Sequence, residues 1–304
     1  MTKQPGDVAH IADVDCPKDL PPSSWRAILW RLWLIQSETG LWVMASGVAF
    51  YAVLAVLPGL GFTLLTLGMI SGPDRIKERF EQLKEIVPEQ ALGAFVDQLA
   101  DMVGSTGGTL RWGITGSLLL TLWSLWLGMR ALIAALNFAY REKECRGFLA
   151  LNGLSLLLSL VWLGFVPLTF GVFLGTPTLA AALPVPAGLV WTLQWLRWPF
   201  LVAMILLALA VLYRIGPCRT APKWRWVSWG AVVATTLWIV ASALFTAYVQ
   251  RVANYQAAYG LAGAVITLML WLNLIAYAIL LGGALNAEME RQTTRETAAS
   301  RQRP

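Results

Sequence analysis

GLAGAVITLMLWLNLIAYAILLGGAL, at residues 260–285, contains no charged side chain. A helix needs about 20 predominantly apolar residues to cross the roughly 30 Å hydrocarbon core of a bilayer. This segment is long enough to do so, and its apolar character is continuous rather than confined to one helical face. It therefore predicts a transmembrane helix.

Five earlier segments have the same character. The predicted spans are at about 41–70, 112–136, 148–174, 198–214, 228–250 and 260–285. The fourth has the shortest apolar run, with Pro199 at its start. In the first span, Pro58 removes a backbone hydrogen bond and predicts a kink, with a re-entrant hairpin as the alternative.

The overall composition agrees with a membrane domain. The 304 residues are 57% hydrophobic and 13% charged, whereas soluble domains carry roughly 25% charged residues. The sequence predicts an all-α fold: a polytopic helical bundle of about six transmembrane helices. The net charge of +6 does not indicate a nucleic-acid partner, because membrane proteins concentrate Lys and Arg in their cytoplasmic loops.

The distribution of basic residues predicts the orientation. With the N-terminus in the cytoplasm, 15 of the 23 Lys and Arg residues lie in cytoplasmic segments, seven lie outside and Arg130 lies within the second span. The five in external residues 71–111 are outweighed by seven acids. The positive-inside rule therefore favours both termini in the cytoplasm. We expect a disordered tail at 1–24, a membrane domain at 25–290 and a second cytoplasmic tail at 291–304.

The cysteines and the catalytic residue types give little indication of chemistry. Cys16, Cys145 and Cys218 are an odd, scattered set without a CxxC pair, which predicts neither a disulfide framework nor a zinc site. All three fall in predicted cytoplasmic segments, where thiols stay reduced. Neither a nucleophile with a base nor a cluster of carboxylates stands at catalytic spacing. We therefore expect no enzyme activity, no cofactor and no metal.

Two flanking segments are amphipathic. Trp25, Trp30 and Trp33 interleave with Arg26 and Arg31 before the first span, which indicates a helix at the inner membrane surface.

The external segment 74–103 has apolar residues at helical spacing on both sides of Pro88. It predicts two short amphipathic extracytoplasmic helices, although a small packed hairpin without a functional role is the alternative. The candidate lipid contacts are Phe80, Leu83, Phe95 and Leu99.

Polar side chains within or beside the spans are the candidate functional residues. One stripe follows the second span and its inner end: Trp123, Trp126, Arg130, Asn137, Tyr140 and Glu144. It could form the wall of a cavity or relay, or Arg130 could extend to the lipid headgroups over a tryptophan. Asn273, Tyr277 and Asn286 on the last span are further candidates, with helix–helix hydrogen bonding as the alternative.

Three blocks of sequence resemble the YihY/BrkB family of bacterial inner-membrane proteins. The first is ASGVAFY at 45–51 with Leu57-Pro58, and the second is NFAY at 137–140 with Glu144 and Arg146. The third runs from LYRIGPCR at 212–219, through WRW at 224–226, Tyr255 and LWL at 270–272, to LNAE at 285–288. The resemblance covers roughly residues 38–290 and implies a six-span helical core.

Two positions depart from the pattern of that family. Members often carry an acid where this chain has Ala284, and a tyrosine where it has Asn273. A proton relay through that acid is therefore not expected here. Members of the family have been labelled as ribonucleases, or resemble envelope-integrity factors, and lipid or solute export has been proposed for them.

These observations favour non-enzymatic transport of a lipid or another amphipathic envelope molecule. The alternative is a membrane scaffold that binds an envelope protein without moving any cargo. A ribonuclease is the third hypothesis, and no acid–base or metal constellation supports it. The expected partners are membrane lipids, while the substrate, the coupling ion and the oligomeric state are not indicated by the sequence.

Overall fold

The structure, a computed structural model, describes residues 26, 28, 30–32, 40–71, 108–182, 187–219, 224–252 and 255–301. Six long helices form most of the described part: α1 Leu41–Ser71, α2 Gly108–Ala139, α3 Phe148–Ala182, α4 Ala187–Ile215, α5 Trp224–Val252 and α6 Tyr255–Arg301. The described residues contain no strand. The predicted all-α fold is confirmed.

Each of the six helices contains a segment long and apolar enough to cross a membrane. These segments are Leu41–Thr63, Arg111–Ala139, Phe148–Phe165, Trp195–Ile215, Trp229–Val249 and Val265–Gln292. The helices themselves extend past the predicted spans, and α6 continues to Arg301. A helix can extend beyond the bilayer because its hydrogen bonds lie within the segment itself.

Some predictions concern residues outside the described part. They include the tail at 1–24, the external segment 74–103 with Phe80, Leu83, Phe95 and Leu99, and both Trp25 and Trp33. Arg26, Trp30 and Arg31 of the predicted interfacial helix are described and are helical.

Helix α1 is continuous through Pro58. The alternative of a re-entrant hairpin in this segment is therefore wrong, because a hairpin would interrupt the helix. A proline can be accommodated within a long apolar helix because neighbouring helices and local adjustments satisfy the freed carbonyl group. The kink at Pro58 stays a prediction.

The helices form a closed ring in chain order. Each helix packs against the next one along the chain, α6 packs against α1, and α2 also contacts α6. One end of the ring carries the start of α1, the α2–α3 loop at 140–147 and the start of the α4–α5 loop at 216–219. We call it the inner end, since the positive-inside rule predicts that it faces the cytoplasm.

Tight packing is concentrated at this inner end. The buried core includes Leu41, Ala45, Ile133, Leu136, Leu212, Tyr213, Ala231, Ala234, Leu280 and Ala284. Towards the opposite end, residues 111–120 of α2, 195–200 of α4 and 236–249 of α5 include no buried side chain, although Leu65 of α1 is buried. Most of the described core therefore lies at the inner end.

Two glycines allow α5 and α6 to approach closely. A Cβ atom at Gly230 would overlap the side-chain amide of Asn286. A Cβ atom at Gly282 would lie 2.5 Å from the carbonyl oxygen of Gly230 and 2.6 Å from the hydroxyl of Tyr213. Small residues are common where membrane helices pack backbone to backbone.

We expect Gly230→Ala to lower the thermal stability of the purified protein, because overpacking typically costs about 1–3 kcal/mol. Gly153→Ala is the matched control, since Gly153 is exposed on α3 and a Cβ there meets no atom within 4 Å. The melting temperature of both variants in detergent is the measurement. Equal melting temperatures would contradict the close α5–α6 contact.

Candidate functional site at the inner end of the bundle

Asn137 joins two loops at the end of α2. Its side chain is buried, and its Nδ2 donates a hydrogen bond of 2.7 Å to Oε2 of Glu144. Its Oδ1 accepts a hydrogen bond of 2.7 Å from the backbone N–H of Cys218. The α2–α3 loop and the α4–α5 loop are thereby held to the same amide.

Arg146 caps the carbonyl groups at the C-terminal end of α4. Its guanidinium donates to the carbonyl oxygens of Ile215, Gly216 and Pro217 at 2.9, 2.8 and 3.0 Å. The last carbonyls of a helix have no partner within the helix, so a cationic donor placed there satisfies them. Local sequence gives no indication of this contact, because the carbonyls lie about 70 residues further along the chain.

Arg219 lies between α2, α4 and α6. Its guanidinium is 4.6 Å from the centre of the Tyr140 ring, and it donates to the carbonyl oxygen of Tyr213 at 3.0 Å. It also forms an ion pair of 2.5 Å with Glu290. The side chain of Arg219 is only 7% exposed and that of Glu290 is 31% exposed, so the pair is partly shielded from water.

Tyr140 contacts two arginines. Its carbonyl oxygen accepts a hydrogen bond of 2.7 Å from Arg291, and the Arg219 guanidinium faces its ring. Burial raises the pKa of the Tyr140 phenol to about 12, although the charge of Arg219 partly opposes that rise. The phenol is therefore protonated at neutral pH.

Two neutral hydrogen bonds join α6 to α5 and to α4. Oδ1 of Asn286 accepts a hydrogen bond of 2.8 Å from the backbone N–H of Gly230. The hydroxyl of Tyr213 donates to the carbonyl oxygen of Ile279 at 2.7 Å. Asn286 and Tyr213 are both fully buried. This favours helix–helix hydrogen bonding as the role of Asn286.

Glu288 fixes the interfacial helix to the bundle. It is 2% exposed and lies 3.8 Å from Arg31 and 3.5 Å from Arg291. Beside these charges, Ile28 packs against Leu285 and Met289. A buried carboxylate is tolerated only when it is paired, so Arg31 and Arg291 are the groups that make this position possible.

We call the whole set the inner-end network. It consists of Asn137, Tyr140, Glu144, Arg146, Tyr213, Arg219, Asn286, Glu288, Glu290 and Arg291. Four of the predicted candidates therefore come together here: Asn137, Tyr140, Glu144 and Asn286. Helical spacing did not select the arginines of this network. Arg146 and Arg219 were indicated only because they lie in the sequence blocks that resemble the family.

The remaining candidates have other surroundings. The guanidinium of Arg130 lies 5.7 Å from the centre of the Trp126 ring, which favours the alternative of an arginine placed over a tryptophan. The ring of Tyr277 packs edge to face with Trp42 at 5.2 Å. Asn273 is buried, and its Oδ1 has no hydrogen-bond partner within the described part of the chain.

The structure brings together two cysteines that look scattered in the sequence. Cys145 and Cys218 are 73 residues apart, yet their Cα atoms lie 5.9 Å apart, within the range that a disulfide requires. Linear spacing does not reveal this pair, because the loops that carry the two cysteines meet at Asn137. The pair can form a disulfide where the loops are oxidised and stays as two thiols where they are kept reduced, as the predicted cytoplasmic position implies.

Six apolar helices joined by a buried polar network at one end define a multi-pass helical membrane protein. Comparison with known proteins gives its family. The family described as Virulence factor BrkB matches residues 36–304, and the chain belongs to that family.

Individual relatives support the same assignment. The chain is 32% identical over 250 residues to YfkH of Bacillus subtilis strain 168, whose name describes it as ribonuclease-like; the match covers 81% of this chain and 88% of YfkH. It is 26% identical over 284 residues to a UPF0761 membrane protein of Laribacter hongkongensis, covering 89% of this chain and 63% of that protein. It is 29% identical over 250 residues to the UPF0761 membrane protein NMB0524 of Neisseria meningitidis, and this match covers 79% of this chain and 57% of that protein.

The chain thus spans most of YfkH but under two thirds of the other two relatives. No solved structure matches it. The relatives and the six apolar helices together establish a bacterial multi-pass membrane protein.

Arg146→Lys tests the junction between the two loops. Lysine keeps the charge but cannot present the planar fork of donors that reaches three carbonyls, and hydrogen bonds to charged groups are worth about 1.5–3 kcal/mol each. We expect a clear loss of thermal stability in detergent, whereas Arg141→Lys, at an exposed loop position, should have little effect. Equal effects of the two changes would contradict the role of Arg146.

Proposed function

We propose that this protein moves a lipid or another amphipathic envelope molecule across the bacterial membrane, without enzyme chemistry. The observation that carries the proposal is the contrast between the two ends of the bundle. The inner end is sealed by the core and the inner-end network, while described residues 236–249 of α5, towards the other end, include no buried side chain.

This contrast fits one state of an alternating-access cycle. A transporter needs a bundle that closes at one end while the other end admits the cargo, followed by the reverse arrangement. The inner-end network supplies the closing contacts, because it joins α2, α4, α5 and α6 through groups with discrete donors and acceptors. Hydrogen bonds of this kind can be exchanged for water, which makes them suited to opening.

The composition of the bundle supports an amphipathic cargo. Apolar side chains dominate the exposed surface of the helices towards the outer end, for example Trp112, Leu119, Leu120, Trp195, Leu196 and Leu244. A route lined or flanked by such residues admits acyl chains more readily than small ions. The predicted external segment 74–103, which is amphipathic in sequence, would receive or release the cargo.

The network itself supports a structural role and not hydrolysis. Glu288 and Glu290 are both paired with arginines, and Glu144 accepts hydrogen bonds from Asn137 and from the backbone of Arg146. A general base must be free to accept a proton from substrate or water. The ribonuclease-like name of YfkH therefore finds no support among these carboxylates.

Tyr213→Phe, combined with a reconstituted assay, tests the proposal. The wild-type protein alone in vesicles should move fluorescent lipid between leaflets. Tyr213→Phe removes the hydrogen bond to Ile279 at nearly constant volume and weakens the seal by about 1 kcal/mol, so the rate should rise by up to about fivefold. Tyr248→Phe, at an exposed position of α5, is the matched control and should leave the rate unchanged.

The scaffold hypothesis gives a different result. A scaffold would show no lipid movement as wild type, across anionic and zwitterionic vesicles and with an imposed proton gradient, and would retain an envelope protein during purification. That outcome would contradict transport. A wild-type protein that moves lipid while Tyr213→Phe and Tyr248→Phe behave alike would contradict the assignment of the seal.

A further inference from the structure

Cys145, Cys218 and Glu144 bring three metal-ligand atoms together at the inner end. The two thiol sulfurs and a carboxylate oxygen all lie within 4.8 Å of one another. The three residues come from two loops that meet only in the folded protein. Glu144 also belongs to the inner-end network, whereas neither cysteine does.

The surrounding residues already orient the ligands. Asn137 donates to the Glu144 carboxylate and accepts from the backbone N–H of Cys218, so one buried side chain positions two of the three ligand residues. The backbone N–H of Arg146 donates to the other oxygen of Glu144 at 3.0 Å. Outer hydrogen bonds that fix the ligands are typical of protein metal sites.

The redox state of Cys145 and Cys218 depends on the compartment that their loops face. Both loops lie at the end that the positive-inside rule places in the cytoplasm, where glutathione and thioredoxin keep thiols reduced. A pair that can approach as closely as a disulfide is then present as two thiols beside a carboxylate. Two thiolates and one carboxylate suit Zn²⁺, which is commonly bound by four ligands drawn from Cys, His, Asp and Glu.

We propose that Cys145, Cys218 and Glu144 bind a zinc ion, with water as the fourth ligand. Cys145 and Glu144 are exposed, so the ion and its water ligand have access from solvent, while Cys218 is buried and fixed by its backbone. Binding displaces the thiol protons into solvent and joins the α2–α3 loop to the α4–α5 loop through the metal. The proposal does not depend on whether the protein transports lipid.

Zinc stoichiometry tests the site directly. The full-length protein is purified in detergent with a phosphine reductant, stripped with a chelator, incubated with Zn²⁺ and desalted before metal analysis. We expect about one zinc ion per wild-type chain, and close to none for Cys145→Ser or Cys218→Ser. Cys16→Ser is the matched control and should retain the full amount.

Cobalt and two glutamate variants sharpen the test. Co²⁺ added to the reduced wild-type protein should give a near-ultraviolet thiolate-to-metal charge-transfer band. This measurement uses only the wild-type protein, so it remains valid if the serine variants do not fold. Glu144→Gln should weaken zinc binding at least about tenfold in a chelator competition. Glu142→Gln, an exposed neighbour, should not.

Three results would overturn the proposal. The first is the absence of both zinc and the cobalt band in the reduced protein. The second is zinc that survives in folded Cys145→Ser and Cys218→Ser. The third is alkylation in acid-quenched cells showing that Cys145 and Cys218 are held permanently as a disulfide, which would also contradict the predicted cytoplasmic position of these loops.

Discussion

Glu288 is a carboxylate that is 2% exposed at the end of an apolar helix, and such a charge is tolerated only with partners. Its partners Arg31 and Arg291 come from the interfacial helix and from α6. Arg291 also donates to the Tyr140 carbonyl, and Tyr140 in turn faces Arg219. The requirement that buried polar groups be paired thus links α2, α6 and the interfacial helix in one chain of contacts.

The same requirement explains the packing around these contacts. Polar side chains can reach across a membrane bundle only where the backbones approach closely. Gly230 and Gly282 provide that approach between α5 and α6, since a Cβ atom at either position would overlap or crowd the hydrogen-bonding groups beside it. The inner end is consequently both the most polar and the most closely packed part of the described bundle.

Much of the fold could be predicted because apolar length and basic loops are local properties of the sequence. Helical spacing placed Asn137 and Glu144 on one face of α2, but the helix ends at Ala139 and Glu144 lies in the loop that follows, where it accepts a hydrogen bond from Asn137. The other partners could not be found in this way. Arg146 and Arg219 each contact residues about 70 positions away, and Cys145 meets Cys218 across 73 residues. For Arg130 the sequence left open both a cavity wall and a position over a tryptophan, and the contact with Trp126, four residues earlier, favours the second.

The central claim is that buried polar pairs hold the inner end of the bundle together. The most direct measurement is the coupling energy between Arg219 and Glu290, obtained from the unfolding free energies of the wild type, Arg219→Gln, Glu290→Gln and the double variant in one detergent. Because Arg219 is only 7% exposed, the account predicts a favourable coupling of about 1 kcal/mol or more. A coupling close to zero, as for an exposed surface pair, would contradict it.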